Sequence, residues 1–500
     1  MSAKDLSIWW GRTAYQIIPD RYYKSKKEPP ERISGRILKG WSDRQPNWEP
    51  DNNGMYKNDF FYGGDLKGIE EKLDYIYSMG FDMIYLTPIE KSVSYHHYDV
   101  GDHIVVDPWL GTVDDFKSLC AKAKELGILI VVDLVFNHTS TNSKYYNNPK
   151  YHDWYKKNPD GSQSFWWGFG DLAECNTMNP NYQESMTMLV EKYLEIGADG
   201  IRLDLGENLP KEFLFAIERV REKYPNTIFI GEMWNLATKK PDSKIFDGQL
   251  DSVMNYPIAD AILRWVRWGL CDHFKYNFDC VYNDYPKEVQ KVLLNNIGTH
   301  DTPNTMTMLG GDCMSSNVFG KRIWDIEDSW LRGTRFDTYG FRQYEAEHDE
   351  LSKEQYQLAR KLCKIAVAIM YNLPGIPCIF QGTEICETGY KDPFNRKPYN
   401  WNRHEDDMLG FMTEMGRYRR ENSDILSIAD VKLISADKKV LIFERKHPDG
   451  GKIIVAVNRT ENNEVLNLRG VGENLKTEFE IGGCTKWFLS PYGIFIGKID

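Results

Sequence analysis

Residues 197–208 read G-A-D-G-I-R-L-D-L-G-E-N. Ile201, Leu203 and Leu205 alternate with Arg202 and Asp204, the two-residue period of a strand with one apolar and one charged face. Arg202 and Asp204 therefore project from the same side. A guanidinium beside a carboxylate favours the ionised form and holds it ready as a nucleophile. Two further acids stand at strand ends downstream, Glu232 in T-I-F-I-G-E-M-W and Asp301 in N-N-I-G-T-H-D-T-P. Three acids from three strand ends require a fold that aims its strand ends at one place.

The rest of the chain supplies such a fold. Buried strands are expected at 13–19 (T-A-Y-Q-I-I-P), 81–87, 128–136, 198–205, 228–232, 251–255, 295–299 and 377–381. Helical spacing lies between them. Leu66, Ile69, Leu73 and Ile76 predict a helix over 66–79 ended by Gly80, and 116–126 predicts another ended by Gly127. Strands alternating with helices imply a parallel sheet, and eight strands close into a (β/α)8 TIM barrel with its chemistry at the C-terminal strand ends. Two excursions interrupt the alternation. Residues 139–180 carry Trp154, Tyr155, Phe165, Trp166, Trp167 and Phe169; residues 310–350 carry Trp324, Trp330, Arg332, Arg335 and Phe336. The segment 424–500 changes character: K-V-L-I-F-E-R, K-I-I-V-A-V-N-R-T and G-I-F-I-G-K-I alternate around turns such as Asp449-Gly450-Gly451. The expected organisation is a barrel over 1–138 and 181–423, an inserted domain over 139–180, and a C-terminal antiparallel β-sandwich over 424–500.

Composition narrows the function. The formal charge of −11 and the lack of a basic stripe argue against nucleic acid or an anionic membrane as partner. Nine cysteines at scattered spacings, without CxxC, suggest neither a disulfide framework nor a zinc site. The opening M-S-A-K-D-L-S-I-W-W has no apolar h-region, and the longest apolar run, 365–380, is broken by Asn372, Pro374, Gly375 and Pro377. A reducing cytoplasm is the expected compartment. An aromatic content of 13% suits a protein that handles sugar rings, and equally a large core.

Two carboxyls flanking a bond, one ionised and one protonated, are the minimum equipment for glycoside hydrolysis. Asp204 beside Arg202 is the expected nucleophile. Glu232 follows an apolar strand and precedes Met233 and Trp234, surroundings that favour the protonated carboxyl a general acid needs. Asp301 is a third carboxylate for an oxocarbenium-like transition state. His138, His300, His96 and Tyr98 are expected to donate to sugar hydroxyls. Each also has a plainer reading: Arg202–Asp204 as a structural ion pair, Thr302-Pro303 as a helix start with Thr302 as N-cap, and the 154–169 aromatics as the core of the inserted loop.

The motifs V-V-D-L-V-F-N-H (131–138), G-I-R-L-D (200–204), G-E-M-W (231–234) and T-H-D-T-P (299–303) resemble, in order, the four signature regions of glycoside hydrolase family 13, the α-amylase family. The resemblance covers nearly the whole chain. It implies Asp204 as nucleophile, Glu232 as acid/base and Asp301 as transition-state stabiliser, with Arg202, His138, His300, His96 and Tyr98 around the sugar beside the cleaved bond. Asp133 matches a barrel-interior Asp of structural role. Within the family, G-E-M-W, S-Y-H-H-Y-D-V-G-D and G-T-E-I-C-E-T-G-Y-K-D-P-F-N-R-K-P-Y-N-W look like the cyclomaltodextrinase, neopullulanase and maltogenic amylase group. By that likeness Trp234 lies near the acceptor sugars, and Asp392 and Arg396 near the donor sugars.

The departures are as specific as the matches. Many members of that group carry an N-terminal domain, whereas here the barrel begins almost at once. Of their calcium-loop pattern, Gly63 and Asp65 remain, which is no complete Ca²⁺ ligand set, so no cofactor is expected. The Lys-His that starch-cleaving α-amylases place after the nucleophile is replaced by Gly206-Glu207, and the fifth region reads L-A-E-C-N, with Glu174 and Asn176. The expected function is a retaining hydrolase of α-1,4 bonds in maltooligosaccharides, with α-1,6 bonds, pullulan and cyclodextrins as further substrates. An α-glucosidase or a transglycosylase of the same family is the enzymatic alternative, and a binding-only relative the non-enzymatic one. Oligomeric state is not readable from the sequence.

Overall fold

The computed structural model describes residues 4–25, 36–44, 60–239, 245, 249–311, 351–390, 392–403, 405–466, 468 and 474–499. Trp324, Trp330, Arg332, Arg335 and Phe336 of the second excursion lie outside the described residues.

Eight parallel strands form the barrel: β1 (Ala14–Ile17), β2 (Met83–Leu86), β3 (Leu129–Leu134), β4 (Gly200–Leu203), β5 (Ile228–Gly231), β6 (Ser252–Val253), β7 (Leu294–Asn296) and β8 (Ile376–Phe380). All eight fall within a residue of the predicted stretches. Each strand pairs with its successor from β1 to β6, and β8 pairs with both β7 and β1, so that Ala14 lies opposite Met83 on one side and Cys378 on the other. A parallel bridge between Met254 and Leu294 closes the ring.

The side-chain alternation that exposed the strands in the sequence also sorts the core. Ala14, Met83, Tyr85, Val131, Ile228, Ile230, Met254, Leu294, Ile376 and Cys378 point inward and form one buried cluster. Their neighbours, such as Ile84, Ile130, Val132, Ile201, Leu203 and Phe229, point outward into the larger core beneath the helices. Trp9 is the floor of the barrel: its ring is fully buried in the inner cluster and its Nε1–H donates to the Asn226 carbonyl at 2.8 Å. The floor leaves no room at Gly200, where a Cβ would stand 2.5 Å from Ile228 Cγ2 and 3.1 Å from the Trp9 ring.

The single helix expected over 66–79 is two, α1 (Leu66–Glu71) and α2 (Leu73–Ser78). The chain tightens at Lys72, whose N–H reaches Ile69 O at 3.0 Å, and the Lys72 ammonium lies 4.1 Å from the ring centroids of both Tyr23 and Trp401. The next helix, α3 (Val113–Glu125), starts three residues before its apolar periodicity does, because Thr112 and Asp115 form a reciprocal capping box. Further helices that matter below are α4 (Pro180–Ile196), α5 (Tyr256–Trp268), α6 (Lys353–Asn372) and α7 (Asp406–Glu421).

After β3 the chain makes a short antiparallel pair, His138–Ser140 against Leu172–Glu174, with His138 opposite Glu174. The aromatics between them divide into two sets. Trp154 and Tyr155 are buried with Tyr145 and Tyr182 as loop core, whereas Trp166 is half-buried and Trp167 exposed.

The C-terminal sheet has strands β9 (Asp430–Ala436), β10 (Val440–Lys446), β11 (Lys452–Asn458), β12 (Lys476–Ile481) and β13 (Ile494–Ile499), antiparallel in the order β9-β10-β11-β13-β12. One face, with Leu441, Phe443, Val455, Val457 and Ile496, joins the barrel's outer core. The other, with Ile442, Ile454, Ala456 and Phe495, packs beneath a two-stranded ribbon of Glu464–Val465 and Phe488–Leu489. Arg445 of β10 is buried at the seam: Nη1 donates to Asn372 O at the end of α6 (2.8 Å), and Nη2 to Leu426 O (2.8 Å) and Ala429 O (2.7 Å). Among the described residues, no helix is long and apolar enough to cross a membrane.

Candidate active site

The site begins where the inner alternation of β3, β4 and β5 turns from apolar to charged. Asp133 stands on β3 and Arg202 on β4; Asp204 and Glu232 each lie one residue past a strand end. The ladder continues to hold these last two, with Asp204 N–H donating to Leu134 O (3.1 Å) and Glu232 N–H to Leu203 O (3.0 Å). Arg202, fully buried, grips all three acids: Nη1 donates to both Asp133 oxygens (2.9 and 2.8 Å) and to Asp204 Oδ1 (3.1 Å), and Nη2 lies 3.1 Å from Glu232 Oε2. A guanidinium has a planar fork of donors, and here that fork sets the spacing of two carboxylates that face one space.

Leu205 completes the arrangement. Its backbone is left-handed (φ 49), unusual for a branched side chain, and this turn aims its N–H at Glu232 Oε2 (2.8 Å). The next residue must be glycine: a Cβ on Gly206 would meet Gly231 Cα at 2.7 Å and Glu232 N at 2.9 Å. The Gly206 that replaces a lysine in the sequence pattern is thus required by the close approach of the β4 and β5 ends. Glu232 also accepts from Trp234 Nε1–H (2.8 Å), and the Trp234 ring stacks on Tyr256 with centroids 3.9 Å apart. Three donors converge on Glu232, so the apolar surroundings expected from Met233 and Trp234 are not what the carboxyl meets.

Asp301 follows β7. Arg396 Nη2 donates to its Oδ1 (3.1 Å), and His300 Nε2 lies 3.1 Å from its Oδ2. The helix start considered at Thr302-Pro303 is not formed. The helix begins at Thr305, and Thr302 Oγ1 instead accepts from Thr299 N–H (3.0 Å), which leaves Asp301 in the turn. Arg396 also pairs with Asp392 (3.3 Å) and donates to His300 O (2.7 Å), and Tyr95 OH donates to Asp392 (2.7 Å). The two residues expected beside the donor sugars therefore form one network with Asp301.

The hydrogen bonds also decide the histidine protons. Gln16 Nε2, an amide donor, lies 2.7 Å from His300 Nδ1, so Nδ1 accepts and Nε2 carries the hydrogen. That hydrogen faces Asp301 and Tyr98 OH (2.6 Å), whose own proton goes to Asp133 (2.8 Å). Tyr98 stacks parallel to His300 at 5.2 Å. His97 between His96 and Tyr98 is left-handed (φ 64), which brings those two rings to the same side. His96 Nδ1 accepts from Tyr98 N–H (3.0 Å), leaving Nε2–H as a donor. His138 differs from expectation. Its Nε2–H is committed to Tyr98 O (3.1 Å), so it offers an acceptor, Nδ1, rather than a donor.

Burial dominates the electrostatics. It pushes His138 down to about 4, and it drives His96 and His300 well below the usual imidazole range, with the Arg396 charge adding to both. All three rings are neutral at pH 7. Burial also raises the acids: Asp204 is held well above the ordinary carboxylate range by burial and then by the Glu232 charge, with Arg202 opposing. Asp301 is pushed up to about 7 by burial, against Arg396 and with Glu232 adding. Both shifts run the same way, so each carboxyl holds its proton more tightly than an exposed one would.

The structure brings together Asp204, Glu232, Asp301, Arg202, His300, Tyr98, His96 and His138 at the C-terminal strand ends, with Trp234 on one flank and Asp392–Arg396 on another. Four participants escaped the sequence reading: Gln16, Tyr85 (OH to Asp133, 2.7 Å), Tyr95 and Tyr256. Gln16 left a signal, as the polar residue of the otherwise apolar A-Y-Q-I; the tyrosines look like core residues in any strand or helix. Asp65, left from the calcium-loop pattern, accepts from Gly68 N–H (2.6 Å) and Ser25 Oγ (2.8 Å) as a helix cap.

Residues 16–324 match the family model for the α-amylase catalytic domain. Over 91% of its length the chain is 28% identical to an amylopullulanase of Thermoanaerobacter thermohydrosulfuricus, of which it spans 33%. Over 97% it is 26% identical to a cyclomaltodextrinase of Geobacillus thermopakistaniensis, of which it spans 76%. The type III pullulan hydrolase from Thermococcus kodakarensis superposes with a TM-score of 0.79 at 25% identity, over 99% of this chain and 82% of that one. With the strand order, the acid constellation and the matched region in agreement, the chain belongs to the α-amylase family.

Proposed function

We propose that the chain is a retaining glycoside hydrolase that cleaves α-1,4 bonds of maltooligosaccharides, with pullulan, cyclodextrins and other α-1,6-containing glucans as further substrates. The observation that carries the reading is the single Arg202 guanidinium holding Asp204 and Glu232 toward one space. In the first half-reaction Asp204 attacks the anomeric carbon while Glu232 gives a proton to the departing glycosidic oxygen, leaving a glycosyl ester on Asp204. In the second, Glu232 takes a proton from water, and the resulting hydroxide displaces the ester with a second inversion. Asp301 accepts from sugar hydroxyls as positive charge develops on the ring, and His96 donates through Nε2–H, while the His300 Nε2–H stays on Tyr98 OH and Asp301 and holds that acid in place.

The burial of Asp204 suits this role. A nucleophile that burial makes costly to ionise gains most when positive charge develops beside it. The names of the relatives support the substrate class: amylopullulanase, cyclomaltodextrinase and neopullulanase all denote enzymes of α-glucans. We place the protein in the cytoplasm; the eight described cysteines are all unpaired, which suits a reducing compartment.

The test is Asp204→Asn together with the products of maltoheptaose resolved by chain length. The variant is expected to lose at least about 10³-fold in kcat while still binding oligosaccharide. A variant keeping most of its rate would remove Asp204 as nucleophile. Products longer than maltoheptaose would place the enzyme among the transglycosylases, and steady release of one short sugar among the α-glucosidases.

A further inference from the structure

Three rings stack outward from the site. His138 faces Trp166 with centroids 5.2 Å apart and planes 18° apart, and Trp166 faces Trp167 at 4.9 Å and 11°. The inner faces of the stack are occupied by one another. The outer face of Trp167 is not, and this residue is 77% exposed, a large apolar ring turned to solvent at the edge of a catalytic cleft.

The backbone makes this exposure costly. Trp167 adopts φ 50 and ψ 19 inside the short turn Trp166–Gly168, the left-handed conformation that disfavours any residue with a Cβ. The turn is closed by Gly168 N–H to Phe165 O (3.1 Å) and Phe169 N–H to Trp166 O (3.0 Å), and a Cβ on Gly168 or Gly170 would meet nothing within 4 Å. A glycine at 167 would relieve the strain, and the ring contributes little to the core. A bulky aromatic held in a strained turn, stacked on a partner that stacks in turn on a site residue, is a preorganised flat surface.

We propose that the outer face of Trp167 is a stacking platform for a glucosyl unit remote from the bond being cleaved, and that the enzyme uses it to favour longer α-glucans over short ones. A glucopyranose in its chair form presents an apolar face of axial C–H groups, which a flat indole covers well. The stack fixes the platform's distance from the chemistry: Trp167 stands two ring spacings from His138, so the sugar it meets is not the one under attack. At the base of the stack, the buried Tyr155 hydroxyl lies 2.9 Å from Oγ1 of Thr139, the residue after His138.

This inference rests on the proposed α-glucan activity, and the two fail separately. We would compare the wild-type chain with Trp167→Gly, Trp167→Ala and Trp167→Phe on maltotriose through maltoheptaose. We would also measure maltoheptaose binding by calorimetry to the Asp204→Asn chain with and without Trp167→Gly. The ratio of kcat/KM for maltoheptaose to that for maltotriose should fall about tenfold in the Gly and Ala variants, the value of one ring face of apolar contact, and recover largely in the Phe variant. Maltoheptaose affinity should weaken by a similar factor. The melting temperature of Trp167→Gly should hold or rise, which separates loss of contact from loss of fold. A chain-length ratio and an affinity unchanged by the Gly variant would overturn the platform. A wild-type chain that cleaves no maltooligosaccharide would overturn the activity, and maltoheptaose binding would still decide the platform.

Discussion

Asp301→Asn should make the protein more stable at alkaline pH while disabling it. Asp301 sits between Arg396 and His300, yet burial and the nearby Glu232 push it up to about 7 from the ordinary 3.8. The sign follows from which state holds the proton. Below pH 4 the folded and unfolded chains both carry it. Between pH 4 and 7 the folded chain still carries it and the unfolded chain does not, so stability falls as pH rises through this window and stays low above it. About three units at 1.36 kcal/mol each is about 4 kcal/mol, and the quarter of the side chain open to solvent lowers this to about 2–4 kcal/mol. An amide cannot ionise and so escapes the loss. Thermal melts of wild type and variant at pH 5 and pH 8 read it directly: the variant's advantage should be small at pH 5 and should grow by several degrees at pH 8. Activity should be lost at both. An equal difference at the two pH values would refute the assignment of the extra proton to Asp301. A variant less stable than wild type at pH 8 would show that the Arg396 and His300 contacts outweigh the burial.

Three further outcomes test other parts of the structure. Gln16→Leu removes the donor that keeps the His300 proton on Nε2; kcat/KM should fall about tenfold, and nitrogen NMR should show the ring proton redistributed, whereas kinetics within twofold of wild type would refute the tautomer argument. Gly200→Ala forces a methyl to within 2.5 Å of Ile228 Cγ2 above the Trp9 floor and should cost about 1–3 kcal/mol, seen as a lower melting temperature. Activity should survive exhaustive EDTA, because Asp65 already serves as a helix cap; loss restored by Ca²⁺ would refute this.

The barrel was legible because its polar exceptions fall in phase with its strands. Arg202, Asp204 and Asp133 interrupt apolar runs on one face, and that phase is what a closed barrel converts into a shared centre. The acids were legible for the same reason. What stayed hidden depends on contacts between distant segments. Nothing near Glu232 in the chain reveals that Leu205, 27 residues earlier, turns left-handed to donate to it. The commitment of the His138 Nε2–H to Tyr98 O, 40 residues away, is equally invisible in sequence. The break at Lys72 falls where its ammonium meets the Tyr23 and Trp401 rings, contacts that helical periodicity does not register. Trp154 and Trp167 read alike in one aromatic run, yet Trp154 packs on Tyr145 and Tyr182 whereas Trp167 stacks on Trp166 and stays exposed.

The Arg445 seam has a practical meaning for anyone shortening or fusing this enzyme. The C-terminal sheet looks detachable, being all β and last in the chain. Yet Arg445 satisfies the final carbonyl of α6, the long helix against β8, and the sheet's inner face covers apolar surface of the barrel wall. Cutting near residue 424 would strip a wall as well as a tail, and the product would aggregate rather than work as a minimal catalyst. Heating should therefore melt barrel and sheet together in one transition. The hairpin tip at Asp449-Gly450 is exposed but stands only four residues past Arg445, and a Cβ on Gly451 would already meet Ile425 at 3.5 Å, so a tag or a second domain inserted there would press on the seam.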